Sequence, residues 1–190
     1  MTSIYTLVAY AAWGLIVLVW IPGSFATRKA ARRGQPLLQV TATTLIALAF
    51  FLLFQRRPSG LLGLRLTEAP APVALAADLV CLAAVAFAIW SRLTLGRNWS
   101  GVLAAVGENH ELIVRGPYHY VRHPIYAGFL IAMLATATTI GTLASYLAVA
   151  VGLLAFLLRI RIEEALMLSQ FPTEYRAYQQ QTPALLPGVF

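Results

Sequence analysis

Five apolar runs, at residues 4–21, 37–54, 72–90, 124–140 and 142–160, constrain this 190-residue chain more than any other feature. Each approaches the roughly 20 residues that a helix needs to cross a hydrocarbon core about 30 Å thick. Backbone groups left unpaired in lipid cost several kcal/mol, so each run must satisfy its own hydrogen bonds as a helix. The fourth and fifth runs are divided only by Thr139, Ile140, Gly141 and Thr142, a gap that predicts a tight antiparallel hairpin. The expected fold class is all-α: a polytopic integral membrane helical bundle of about five transmembrane helices. Charge agrees, because only 11% of the residues are charged, against roughly 25% in a soluble domain. Runs of this length also exclude an amphipathic peripheral protein.

The chain carries 14 Lys and Arg against 7 Asp and Glu. Its basic stretches are not interleaved with base-stacking aromatics, so nucleic acid is not an expected partner. Basic loops of a membrane protein account for the excess. Arg28, Lys29, Arg32 and Arg33 follow the first run, and Arg56, Arg57 and Arg65 follow the second. Arg92, Arg97, Arg115 and Arg122 lie between the third and fourth, and Arg159, Arg161 and Arg176 follow the fifth. Placing the first loop inside gives 11 basic residues inside and 3 outside. The expected topology therefore has the N-terminus outside and the C-terminus cytoplasmic. The N-terminal run lacks a basic region before it and is long enough to span, unlike a cleavable signal. Trp20, Trp90 and Trp99 near helix ends fit an interfacial belt.

Single residues in the runs say less. Cys81, alone of its kind, excludes an intramolecular disulfide and reads as a small buried hydrophobe. Asp78, near the outer end of the third run, is an intramembrane acid and so a functional candidate, with solvation at the interface the equal alternative. No metal is expected, since His110, His119 and His123 lack a compact ligand spacing and no HExxH is present. GxGxxG and GxSxG are absent as well.

Two segments do not read as lipid-facing helix: residues 91–123, rich in glycine, and the tail 163–190. The first ends in the densest polar cluster, Arg115-Gly-Pro-Tyr-His-Tyr-Val-Arg-His-Pro-Ile-Tyr-Ala-Gly128. Pro124 suits the first turn of a helix and pushes His123 toward an extended backbone. Arg122 and His123 then sit at a positive helix N-terminus, which favours an anionic group such as a carboxylate. Gly128 permits close approach of a ligand or of another helix. The plainer reading makes Arg122 and His123 interfacial anchors, and Tyr118 and Tyr120 belt aromatics. In the second segment, Glu163 and Glu164 gain nothing from a helix C-terminus and repel one another. On a continuing helix they point about 100° apart, so only one faces a given pocket. They are either acids solvated beside Arg159 and Arg161, or a carboxylate that holds a cationic ligand or orients Arg122. Tyr175 and Tyr178 share a helical face, suited to packing on a membrane surface, the bundle or a ligand.

Taken in order, these elements resemble the isoprenylcysteine carboxyl methyltransferase family, which is related to the phospholipid N-methyltransferases. The resemblance covers residues 95–190: Gly96-Arg-Asn-Trp-Ser100, His110-Glu-Leu-Ile113, Gly116-Pro-Tyr118, Arg122-His-Pro-Ile-Tyr126, Glu163-Glu164, Phe171, Glu174-Tyr175, Tyr178 and Pro187. Residues 1–94 match only as three hydrophobic spans. The chain departs from the pattern at Pro172, where the family often has Gly, which bears on the tail and not on the pocket.

The resemblance implies an S-adenosylmethionine-dependent methyltransferase without a Rossmann domain. Its cofactor would lie in a cytoplasmic pocket of the core 95–190, against His110, Leu112, Gly116, Tyr118, His123, Pro124, Tyr126, Glu163 and Glu164. Of the two acids Glu163 is favoured for the pocket. Arg122 would sit on the side of the methyl acceptor, and a lipophilic acceptor would enter sideways from the bilayer. Arg122 and Glu163 are thus the expected catalytic pair. A carboxylate acceptor needs orientation, which a bidentate arginine gives. An amine needs a base, which a glutamate gives. Both residue types are present, so the acceptor stays open, with a prenylcysteine-like carboxylate preferred over a phospholipid amine or a small thiol. A non-catalytic transport or assembly protein is the rival, opposed by the lack of paired charges or broken helices near the bilayer midplane.

Overall fold

The computed structural model describes residues 4–24, 30–33, 35–55, 58–99, 105–107 and 111–186. Its helices are α1 (Ile4–Ser24), α2 (Pro36–Phe54), α3 (Ala71–Leu95), α4 (Pro117–Tyr120), α5 (Pro124–Ile140), α6 (Leu143–Gln170) and α7 (Glu174–Gln181). To the expected helical bundle the structure adds one short antiparallel ribbon, β1 (Ala30–Arg33) with β2 (Ala105–Gly107). Four helices, α1, α2, α3 and α6, are long and apolar enough to cross a bilayer, and α5 is an apolar helix of 17 residues. At about 1.5 Å per residue, α5 reaches roughly 25 Å, the short end of the spanning range. Helix α3 runs on to Leu95 and α6 to Gln170, beyond the expected ends. The 28 residues of α6 rise about 42 Å. Its residues 161–170, with Glu163 and Glu164, therefore project past a core of about 30 Å.

Side chains of small volume decide which helices touch. Helix α3 packs along α5, α2 along α6, α1 against α3, and α5 against α6. A Cβ on Gly128 would lie 2.9 Å from the Ala84 carbonyl oxygen and 3.0 Å from the Ala88 Cβ. Gly128 thus serves a helix contact: with no hydrophobic drive between helices in lipid, close packing of small residues supplies the attraction. A buried polar clip joins three helices at this seam. The Trp13 indole donates to Thr136 Oγ1 at 3.0 Å, Thr136 donates to the Ala132 carbonyl at 2.8 Å, and Cys81 Sγ lies 3.7 Å from the same hydroxyl. Asp78 is 3% exposed, so burial in the bundle replaces the interfacial solvation considered from the sequence.

The loops sort to two ends. At one, Gly141 ends α5 at φ +77, and a Cβ there would meet the Thr67 carbonyl oxygen at 2.2 Å, so glycine is required. The amides of Leu66 and Thr67 donate to the Gly141 carbonyl, and Leu143 N–H donates to Leu64. Thr142 and Ser145 then cap α6 reciprocally. The ribbon, α4 and α7 lie at the other end, where the site is built.

Candidate active site

Proline placement opens the site. Pro124 occupies the first turn of α5 and His123 takes φ −124, ψ 60 before it. This non-helical backbone, short of the extended conformation expected before a proline, lets Arg122 and His123 donate their N–H groups to Pro183 and Ala184, each at 2.9 Å, so the chain after α7 is held against the mouth of α5. The Arg122 guanidinium fastens the same segment. Its Nε donates to Glu164 at 2.8 Å, and its Nη1 donates to the carbonyls of Gln179, at 3.2 Å, and Thr182. Gln179 Nε2 donates to the other oxygen of Glu164 at 2.9 Å, and the Tyr178 hydroxyl donates to the Tyr118 carbonyl.

Because α6 continues through both acids, the two carboxylates diverge as helix geometry requires. Glu164 turns to Arg122 and the tail. Glu163 turns inward, where it accepts from the Tyr126 hydroxyl at 2.5 Å and from Arg159 Nη2 at 3.2 Å. The His123 ring bridges them, with Nδ1 3.6 Å from Glu163 and Nε2 3.1 Å from Glu164. Its ring stacks on Tyr126, which stacks on Phe156 with centroids 4.8 Å apart. Burial pushes the His123 pKa down, but hydrogen bonds and charge from Glu163 and Glu164 outweigh it and hold it above the ordinary value. Burial pushes the Glu164 carboxyl up, and His123 and Arg122 overcome this and draw it down to about 2. The cluster is therefore an imidazole and a guanidinium tied to a carboxylate, with a second carboxylate aimed at the interior.

That interior is a cavity of about 300 Å³. Arg122, His123, Glu163, Tyr118, Tyr175 and Tyr178 form its polar end. Trp20, Ile46, Phe129 and Phe156 form its apolar end, with Arg159 between the two. Trp99 joins the wall, its ring 4.1 Å from the Arg92 guanidinium.

Of the residues expected from the sequence, Arg122, His123, Leu112, Tyr118, Tyr126 and Glu163 line this cavity. Gly116, Pro124 and Glu164 stand behind the wall: Gly116 makes the φ +61 turn into α4, Pro124 starts α5, and Glu164 faces the tail. His110 lies outside the described residues. Tyr175 and Tyr178 pack into the cavity wall, which selects among the surfaces considered for them. Two of the three belt tryptophans, Trp20 and Trp99, also turn to the cavity, while Trp90 is half exposed. The sequence reading missed Arg159 as a cavity residue, although its i, i+4 spacing to Glu163 was a signal. It had no signal for Trp20, Ile46, Phe129 and Phe156, which meet only through tertiary packing.

Spanning helices that close over a buried acid–imidazole–guanidinium cluster, continuous with an apolar chamber, define an integral membrane protein built around one amphipathic pocket. The chain belongs to the isoprenylcysteine carboxyl methyltransferase (ICMT) family, whose model matches residues 75–169. The match begins within α3, earlier than the motifs from residue 95, and ends before the tail tyrosines. Among curated relatives, the protein-S-isoprenylcysteine O-methyltransferase of Schizosaccharomyces pombe is 36% identical over 94 residues, 48% of this chain and 40% of that protein. The cobalt-zinc-cadmium resistance protein CzcN of Cupriavidus metallidurans is 37% identical over 102 residues, 51% of this chain and 45% of that protein. The chain thus spans less than half the length of these two relatives. A solved eukaryotic intramembrane Ras methyltransferase, ICMT, matches with a TM-score of 0.55 and 22% identity over 84% of this chain and 55% of that structure, which supports a shared fold.

Proposed function

We propose that this protein is a membrane methyltransferase that moves a methyl group from S-adenosylmethionine to a lipophilic acceptor, the carboxylate of an isoprenylcysteine-like molecule. The observation that carries this is the union, in one cavity, of a partly buried carboxylate–tyrosine layer with an apolar aromatic chamber. The polar end suits the methyl donor. The Glu163 carboxylate answers a cationic sulfonium or ammonium, and the faces of Tyr118, Tyr126 and Trp99 suit a cation or a purine ring. When bound, the donor supplies an electrophilic methyl: an oxygen–carbon bond forms as the carbon–sulfur bond breaks, and that electron pair stays on sulfur as a neutral thioether.

The residues of the chain supply position. A carboxylate is nucleophilic at neutral pH and needs alignment rather than a base, and alignment alone lowers such barriers substantially. Arg122 is engaged with Glu164 and the tail, so we assign it to holding the cavity wall. Arg159 lies one helical turn from Glu163 and one from Phe156, at the border of the polar and apolar ends. An amphiphile's acid head belongs at that border, so Arg159 is the better candidate for orienting the acceptor. The core 95–190 and the topology with this end cytoplasmic follow the same reading, the latter from the excess of basic residues assigned to it.

The test is methylation by the detergent-purified protein with methyl-labelled S-adenosylmethionine. N-acetyl-S-geranylcysteine and its carboxamide are offered in parallel. Label in a base-labile product from the acid, with none from the amide, supports the reading. Label in the amide or in an added amine lipid, or in no acceptor, contradicts it.

A further inference from the structure

The apolar end of the cavity is lined by Trp20, Ile46, Phe129 and Phe156. Phe129 lines the cavity and is the hub of an aromatic cluster beneath it. Its ring centroid lies 5.5 Å from Trp20, 5.7 Å from Trp13, 6.1 Å from Phe156 and 6.4 Å from Phe50. Trp13 and Phe50 sit behind it, away from the cavity, and both pack on Phe54. Trp13 cannot swing aside without breaking its buried hydrogen bond to Thr136. Phe129 is therefore backed by a fixed wall and not by movable aliphatics or by lipid.

We propose that Phe129 is a specificity-determining residue that limits the length of the acceptor's apolar group. This rests on the proposed lipophilic acceptor. From His123 to Phe129 is six residues of α5, about 9 Å, and from Glu163 to Phe156 is seven residues of α6, about 10 Å. An extended chain covers roughly 1.2 Å per bond, from the 3.3–3.6 Å that a three-bond residue spans. The chamber below the acid layer thus takes about eight bonds in line. An apolar tail of one or two isoprene units ends at Phe129, and a longer one meets the ring.

The experiment compares wild type with Phe129→Ala and, as a milder cut, Phe129→Leu. N-acetylcysteine S-alkylated with n-butyl, n-octyl, n-dodecyl or n-hexadecyl chains serves as the probe series, and binding is measured at equilibrium in one detergent. Thermal melting checks that each variant folds. The reading is the ratio of variant to wild-type affinity at each length, in which partition of the probe into the micelle cancels. We expect a ratio near one for butyl, which stops short of the ring, and below one for octyl, which loses contact with it. The ratio should rise above one, by about tenfold or more, for dodecyl and hexadecyl, since each newly buried methylene is worth roughly a factor of four. Phe129→Leu should show the same crossing with a smaller span. A ratio constant across lengths overturns the proposal and means that long tails leave the chamber sideways between α1 and α2. Failure of every probe to bind wild type that still binds S-adenosylhomocysteine overturns the carboxylate-acceptor reading, and the length limit with it.

Discussion

Replacing Glu164 with Gln should loosen the tail while leaving the bundle intact. The carboxylate accepts from Arg122 at 2.8 Å, Gln179 at 2.9 Å and His123 at 3.1 Å. Hydrogen bonds to charged groups contribute about 1.5–3 kcal/mol each, but bonds that share one acceptor group do not add. Removing one partner of a buried pair costs about 3–5 kcal/mol. Glu164 keeps 17% of its side chain exposed at the edge of the membrane, which screens part of the charge. A cost of roughly 2–4 kcal/mol follows, equal to about a 30- to 1000-fold increase in opening of the segment it clamps. The assay is amide hydrogen exchange read on α7. Glu163→Gln is the control, because Glu163 bonds to Tyr126 and Arg159 and not to α7. Exchange in α7 that is unchanged in Glu164→Gln, or raised equally in Glu163→Gln, would refute the division of labour between the two acids.

Gly128→Ala should lower stability by about 1–3 kcal/mol, read as a drop in melting temperature, since the added methyl meets backbone of α3 at 2.9 Å. Thr136→Val should cost about 1 kcal/mol and Trp13→Phe a similar amount, with the double variant little worse than either. The pH dependence has a definite sign. The pKa of His123 is raised on folding, so the stability its charge confers is complete below the ordinary 6.5 and is lost as pH rises through the higher folded value. The pKa of Glu164 is depressed, so its contribution is present above the ordinary 4.5 and is lost only as pH falls toward about 2. Tail protection should therefore hold through mildly acidic pH and fade on the alkaline side, and His123→Gln should abolish the alkaline loss.

Much of this fold was legible because lipid leaves the backbone few options. The five runs and the Gly141 hairpin follow from apolar length and one turn residue. The site was legible where chemistry and local geometry coincide. Pro124 fixes the mouth of α5, and helix phase separates Glu163 from Glu164. What escaped depends on contacts distant in sequence. Nothing local tells that Arg122 is spent on the carbonyls of Gln179 and Thr182, sixty residues on, because a guanidinium at a helix mouth reads equally as a ligand donor. Phe129, Phe156, Trp20 and Ile46 look like any lipid-facing side chains until α1, α2, α5 and α6 converge around the cavity. Asp78 stayed open between burial and interfacial water because it lies near the end of its run, and only the packing of α3 selects burial.

On the proposed function, the cavity at Glu163 binds the methyl donor. Calorimetric titration of the detergent-purified protein with S-adenosylhomocysteine, beside Glu163→Ala, tests it most directly. Saturable binding to wild type is expected with Kd on the order of micromolar, weakened at least tenfold in Glu163→Ala by loss of one charged partner. No saturable binding to a sample that melts cooperatively would contradict it, and would leave the acid cluster as a device for anchoring the tail.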